Sequence, residues 1–304
     1  MACTESVVSV IPSIFRSRLF QRLEKHPHSN IVMDMQERKF KIKETFNNAA
    51  EGYDKPALRF FSAAAEHLAN SMKFAGNEHV LDVATGTGLV ALACARRLGA
   101  GHVTAIDISD GMLVKAKVKS QEQQLTNLDF LCLDIDVSNF TADSFDAACC
   151  GFGIFFLPDM EAGFKTIAKH VKPGGAIGIS SFTGAVMEPL SQKFIERILT
   201  YGVAMPSLSW KRLDSVEKIC TLYQSAGLER LHTHTYQVGY HLAGFEEWWD
   251  ILWYSGFRGL LSQLSSSDLV RFRQSHQEEI ELLVEEQGIW MNVEILISVG
   301  YKPV

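Results

Sequence analysis

Val80-Leu81-Asp82-Val83-Ala84-Thr85-Gly86-Thr87-Gly88-Leu89 decides the architecture of this chain. A short β-branched run, His79 to Val83, carries the backbone into a glycine-rich turn, and the helix-periodic stretch Leu89 to Leu98 leaves it. Gly86 and Gly88 lack a Cβ, so the backbone there can approach a bound molecule closely. Downstream, strand and helix alternate. His102 to Ile106 reads as strand, Gly111 to Gln123 as helix, Leu128 to Leu133 and Phe145 to Cys150 as strands, Met160 to His170 as helix and Gly175 to Ser180 as strand. Such alternation predicts an α/β fold, a doubly wound, mainly parallel sheet with helices on both faces. Upstream, Asp34 to Ala50 and Ala57 to Phe74 are helix-periodic. Past Phe182 the spacing predicts helices over Leu190 to Val203, Ser215 to Gly227, Phe245 to Gln263 and Ser266 to Glu286. Strands at Glu229 to Gln237 and Trp290 to Val299 bring the sheet to seven.

The ligand of the turn is open to two readings. Asp107 stands at the end of the next strand, where an acid can accept from both ribose hydroxyls of a nucleoside. Gly86-x-Gly88-x-x-Ala91 followed by Asp107 also meets the dinucleotide fingerprint, which would make the chain an NAD-dependent oxidoreductase. Asp82 favours the other reading. Its carboxylate, at the carboxyl end of the first strand, would face the same crevice and suits a cation better than a pyrophosphate. S-adenosylmethionine has a sulfonium, an ammonium, a ribose and no phosphate, and so matches Asp82 and Asp107 together. A protein that binds it without transferring a methyl group is a third reading.

The same segment resembles motif I of the class I S-adenosylmethionine-dependent methyltransferases. Gly151-Phe152-Gly153-Ile154-Phe155-Phe156-Leu157-Pro158-Asp159 and Val171-Lys172-Pro173-Gly174-Gly175 are similar to the ubiquinone/menaquinone C-methyltransferase (UbiE-like) group. So is Phe46 to Asp54, with its terminal Tyr53-Asp54. The likeness covers about Phe46 to Phe182 and weakens beyond. It implies a Rossmann-like core and S-adenosylmethionine as cofactor, with S-adenosylhomocysteine as product. It places Asp82, Ala84, Thr85, Gly86 and Gly88 along the methionine moiety, although the family often has glycine where this chain has Ala84. It gives Asp107 the ribose, sets Ile108, Met112, Asp134 and Ile135 around the adenine, and puts Gly151 and Phe152 beside the methionine end. Tyr53 would close the site over cofactor and acceptor.

Residues beyond a nucleotide-binding core need a role. The expected organisation is an N-terminal helical lid over 1–76 and a methyltransferase domain over 77–304, with helical acceptor-binding insertions at about 183–215 and 240–287. Candidate acceptor-lining residues are Tyr53, Phe155, Phe156, Met187, Trp249 and Trp253, with Tyr201, Met205 and Trp210 within reach. Trp249, Leu252, Trp253 and Gly256 have the spacing of one helical face. His241 is the candidate general base beside Tyr53. His232 and His234 share a strand face, but no third ligand follows, so no metal is expected. His170 reads as an exposed helix end. Cys94, Cys132, Cys149 and Cys150 fall in core elements, which argues against arsenite methylation.

Composition bounds the function class. The 304 residues carry 29 Lys and Arg against 35 Asp and Glu, a net charge of −6, which lacks the footprint of a general nucleic-acid binder. No apolar stretch approaches the roughly 20 residues of a spanning helix. Six cysteines without a C-x-x-C pair suit a reducing compartment. The expectation is a cytoplasmic enzyme acting on an aromatic or apolar small molecule at C, N or O. A second copy of the chain is the one protein partner considered. Residues 1–32, Arg-rich with Val7, Ile11, Ile14, Phe15 and Leu19 on one face, would place it in the mitochondrial matrix if they form a transit peptide.

Overall fold

The computed structural model describes residues 27–204 and 208–304, with side chains from Asp34 onward. The amphipathic pattern of residues 7–19 and the candidate Met205 therefore lie outside the described residues. The chain divides into two units between Lys41 and Ile42. The described part of the first is the leading portion of helix α1 (Pro27–Ala49), where Glu37 and Lys41 pair one turn apart at 2.6 Å.

The second unit is built on a seven-stranded sheet. Its strands are β1 (His79–Val83), β2 (His102–Asp107), β3 (Leu128–Cys132), β4 (Phe145–Gly151), β5 (Val171–Phe182), β6 (Glu229–Gln237) and β9 (Glu294–Tyr301). Their order is β3-β2-β1-β4-β5-β9-β6. All pairs from β3 to β5 are parallel, and β9 alone runs against its neighbours. The central strands are apolar on both faces because helices cover both. In β1, Val80 to Val83 are buried in succession, against a layer that includes α2 (Phe60–Ser71) and α3 (Leu89–Ala95). Helices α4 (Asp110–Glu122) and α5 (Met160–His170) complete the first half. Each starts where a side chain accepts an orphan N–H: Ser109 from Met112 at 3.2 Å and Asp159 from Ala162 at 2.9 Å.

After β5 the chain runs through α6 (Leu190–Leu199) and α7 (Val216–Ser225), and then, beyond β6, β7 (Tyr240–Leu242) and α8 (Phe245–Tyr254). The short α9 (Arg258–Leu261), α10 (Ser266–Glu281) and β8 (Ile289–Met291) precede β9. Two spans expected as single elements are split. The aromatic helix ends at Tyr254 because Ser255 is extended (φ −122°), and the chain restarts at Phe257. The last strand is two: Ile289–Met291 pairs with β7 in a separate two-stranded sheet, and Glu294–Tyr301 enters the main one.

Burial corrects two further expectations. His170 is 2% exposed, hydrogen-bonded to the Ser138 hydroxyl at 3.0 Å, and its pKa is lowered by desolvation, so it is no charged helix end. Cys132 is exposed on the edge strand β3, unlike the buried Cys94, Cys149 and Cys150. No described helix is long and apolar enough to cross a membrane.

Candidate active site

The site forms at the carboxyl ends of β1, β2, β4 and β5, where a doubly wound sheet leaves its crevice. The turn after β1 is tied down by backbone. Thr85 N–H donates to Ile106 at 3.0 Å and Gly88 N–H to Thr85 at 2.8 Å. Gly88 (φ +83°) must be glycine twice over, since an added Cβ would lie 2.9 Å from that of Ala116. Ala84 adopts φ +54°, a left-handed backbone that costs an L-residue about 1–2 kcal/mol. Its methyl group fits because the residue opposite is Gly153, whose Cβ would come within 2.5 Å of it.

Asp107 is held from behind. One carboxylate oxygen accepts the Gly86 N–H at 2.8 Å and the other accepts the Ser109 N–H at 2.7 Å. Its carboxylate remains half-buried, and desolvation raises its pKa. Ile108 follows it at the end of β2, Met112 lies in the first turn of α4, and Asp134 and Ile135 follow β3. Asp134 also caps the turn that follows, accepting the Asp136 N–H at 3.0 Å. Asp82 is placed otherwise than its strand position suggested. It is fully buried and does not line the cleft; it lies under the turn, accepting the Thr85 hydroxyl at 2.5 Å. Its other oxygen has no hydrogen-bond partner, and burial pushes its pKa up to about 7.

The cleft above the turn is lined by Ala84, Thr85, Gly86, Thr87, Gly151 and Phe152, with Tyr53 and Phe61 across it. A Cβ built on Gly86 would meet nothing within 4 Å, so the space above the turn is open to a ligand. An apolar chamber of about 130 Å³ adjoins it, sharing the walls Tyr53, Phe61 and Phe152. Tyr53 stacks on Phe61 (centroids 4.9 Å) and Phe152 on Phe182 (4.2 Å). Phe46 meets Phe156 edge-on at 5.1 Å. Phe155, Phe156 and Met187 line this chamber, as does Trp210. Tyr53 is its only ionisable lining residue among those described, and desolvation raises its pKa, so the phenol stays protonated at neutral pH.

Trp249, Trp253 and His241 are not brought to the site, and Tyr201 lines neither space. The buried face of α8 is Phe245, Trp248, Ile251 and Leu252. Trp249 and Trp253 sit off that face, stacked on each other (6.1 Å) with Arg273 and Arg258 over their rings, and line neither space. His241 turns its ring toward Trp290 (5.1 Å) and lines neither space. His232 and His234 are exposed, and no cluster that could hold a metal occurs among the described residues.

Neighbours of Tyr53 to which the sequence assigned no role position it. Asp54 accepts the Thr87 hydroxyl of the turn and the Lys119 ammonium of α4, each at 2.8 Å. Lys55 pairs with Asp250 of α8 at 2.7 Å, and Gly52 packs so close to the Tyr254 ring that a Cβ would fall 2.4 Å from it. Asn47 accepts the Ser109 hydroxyl (2.6 Å) and the Gly111 N–H (3.1 Å). The segment Asn47–Lys55 is thus strapped across the cofactor turn on one side and α8 on the other. The one available signal was the Tyr-Asp pair itself.

A methyltransferase-domain family matches residues 80–175. An aklanonic acid methyltransferase of a Streptomyces species is 25% identical over 67% of this chain and all of its own length. The ubiquinone/menaquinone C-methyltransferase UbiE of Bdellovibrio bacteriovorus is 30% identical over 52% of this chain and 71% of its own. The phosphoethanolamine N-methyltransferase 2 of Haemonchus contortus, solved with phosphomonomethylethanolamine and S-adenosylhomocysteine, shares the fold: TM-score 0.51, 15% identity, 82% of this chain and 56% of that one. These relatives leave the oxidoreductase reading without support. The chain belongs to the class I S-adenosylmethionine-dependent methyltransferases and stands near their UbiE group.

Proposed function

We propose that this enzyme methylates a small, ring-bearing, largely apolar acceptor held in the phenylalanine-lined chamber. The observation that carries the reading is the shared wall: Tyr53, Phe61 and Phe152 face the cofactor cleft on one side and the chamber on the other. A dry apolar cavity of about 150 Å³ holds one benzene ring, and this chamber is of that order. The residues present fit the cofactor. Asp107 would accept from the ribose, Ile108, Met112, Asp134 and Ile135 would flank the adenine, and Ala84, Thr85, Gly86, Gly88, Gly151 and Phe152 would border the methionine end. Asp82, fully buried under the turn, would lie behind the turn rather than against the cofactor. The cofactor supplies an electrophilic methyl on a sulfonium.

The chain's own residues align and enclose. Tyr53 and the strap that holds it seal the chamber over the reacting centre, and such positioning is worth about 7–11 kcal/mol when the geometry is near attack. A protonated Tyr53 cannot act as base, so the acceptor atom arrives nucleophilic by its own chemistry. Residues 46–61 and the segments after β4 and β5 supply the walls around it. Calorimetry with S-adenosylhomocysteine tests the cofactor half. Asp107→Ala, which removes charge-assisted hydrogen bonds, is expected to weaken binding about 10- to 100-fold; unchanged binding overturns the assignment of Asp107.

A further inference from the structure

Two walls of the chamber come from parts of the chain far apart in sequence. Phe155 and Phe156 belong to the 3-10 turn Ile154–Phe156 at the exit of β4, and Leu208, Ser209 and Trp210 lie at the start of the 3-10 turn Ser209–Leu213. A turn this short leaves its last carbonyls without partners of its own. Inside the first turn the Gly153 and Ile154 carbonyls accept from the Phe156 and Leu157 N–H groups at 3.0 and 3.2 Å. Carbonyls at its end are met from the other turn. The Arg212 guanidinium donates to Phe155 at 2.9 Å, Leu157 at 2.6 Å and Pro158 at 3.5 Å. A planar fork of donors suits such a row of oxygens, and hydrogen bonds from a charged donor are the stronger kind. Both ends of this clasp are seated. Leu213 is fully buried, and the Lys218 ammonium of α7 donates to the Lys211 carbonyl and pairs with Asp214, each at 2.6 Å. On the other side Ile154 and Phe155 are buried, and Leu157 packs on Gly163 of α5, where a Cβ would fall 2.4 Å from it. Arg212 does not line the chamber, so it acts through the walls it joins.

We infer that Arg212 is a positioning residue that fixes the spacing of these two walls and so limits the acceptor to a single ring. This rests on the chamber being the acceptor site, and the experiment separates the two claims. Toluene and naphthalene are titrated, by ligand-observed NMR, into the protein saturated with S-adenosylhomocysteine. Naphthalene has more apolar surface and binds tighter in a pocket free to widen. A fixed wall reverses that order, because overpacking outweighs the added burial. Wild type is expected to bind toluene about tenfold tighter than naphthalene. Arg212→Met keeps an apolar stem and removes every donor. It is expected to weaken toluene and strengthen naphthalene, moving their ratio about tenfold, the value of one charge-assisted hydrogen bond. Arg212→Lys, which can keep one of the bonds, is expected to fall between. A residue that only stabilises the fold would lower both affinities together. An unchanged ratio in Arg212→Met, or in Arg212→Lys if the methionine variant does not bind S-adenosylhomocysteine, would overturn the inference. So would a wild type that prefers naphthalene. Failure of both probes to bind while S-adenosylhomocysteine binds overturns the chamber as acceptor site, and the inference with it.

Discussion

Asp82 shows how a residue can be picked out by pattern and still be placed differently by packing. Its position at the end of β1 was readable, but its burial under the turn was not, because the turn's path depends on the left-handed backbone of Ala84, Gly86 and Gly88. A carboxyl whose folded pKa is raised to about 7 from an ordinary 3.8 destabilises the fold once it must ionise. Its contribution is therefore lost as pH rises between those values, by at most about 4 kcal/mol. Asp82→Asn, which keeps an acceptor for Thr85, is expected to melt above wild type at pH 8, with the gap closing toward pH 4. Thermal melts across that range check it, and a constant gap would contradict it. The position of Asp107 was legible because spacing alone carries it to the end of the second strand. The direction of His241 was not, since nothing in β6 or β7 tells that β7 leaves the main sheet to pair with β8.

Elements of the βα core follow from sequence periodicity, because local strand and helix signals there agree with the global sheet. The later segments do not, since their faces are set by partners distant in the chain. The aromatic stretch 245–257 has so many apolar residues that spacing cannot choose a face, and Trp248 rather than Trp249 is turned inward. Trp248 N–H donates to His276 of α10 at 2.9 Å, and His276 in turn meets Glu279 at 3.3 Å, beside Arg197 of α6. Burial lowers the His276 pKa to about 4. A histidine held neutral in the fold costs stability as pH falls from about 6.5 toward 4, up to about 3 kcal/mol. The stability of His276→Gln relative to wild type, read from denaturant midpoints, is expected to rise between pH 7 and 4.5, while wild type alone changes little because Asp82 acts in the opposite direction; a variant–wild type difference that does not move with pH would contradict it. The strap makes a separate expectation. Asp54→Ala frees Tyr53 from the cofactor turn and leaves the half-buried Lys119 unpaired. Methyl transfer should fall about tenfold or more, as ångström-scale misplacement does, with S-adenosylhomocysteine affinity little changed. Equal loss of cofactor affinity would instead make the strap part of the cofactor site.

At the scale of the molecule, the common cofactor is assigned to one half and the choice of acceptor to the other. The first half is readable because its ligand imposes glycine and carboxylate at fixed spacing. The second is a hollow made by side chains from Phe46, the strap, the β4 and β5 exits and the segments before α7 and α9, which no local pattern ties together. The central claim, that methyl passes from cleft to chamber across the Tyr53 wall, has a direct measurement. Gly256 lines the chamber, and a Cβ added there meets the Phe156 ring at an ordinary 3.5 Å, so Gly256→Leu partly fills the chamber without touching the cofactor turn. Wild type and variant are each incubated with methyl-labelled S-adenosylmethionine and a metabolite extract, and labelled small molecules are separated by mass spectrometry. The predicted result is a labelled product with wild type and its loss, about tenfold or more, in a variant that still binds S-adenosylhomocysteine. Undiminished labelling by the filled variant would contradict the account.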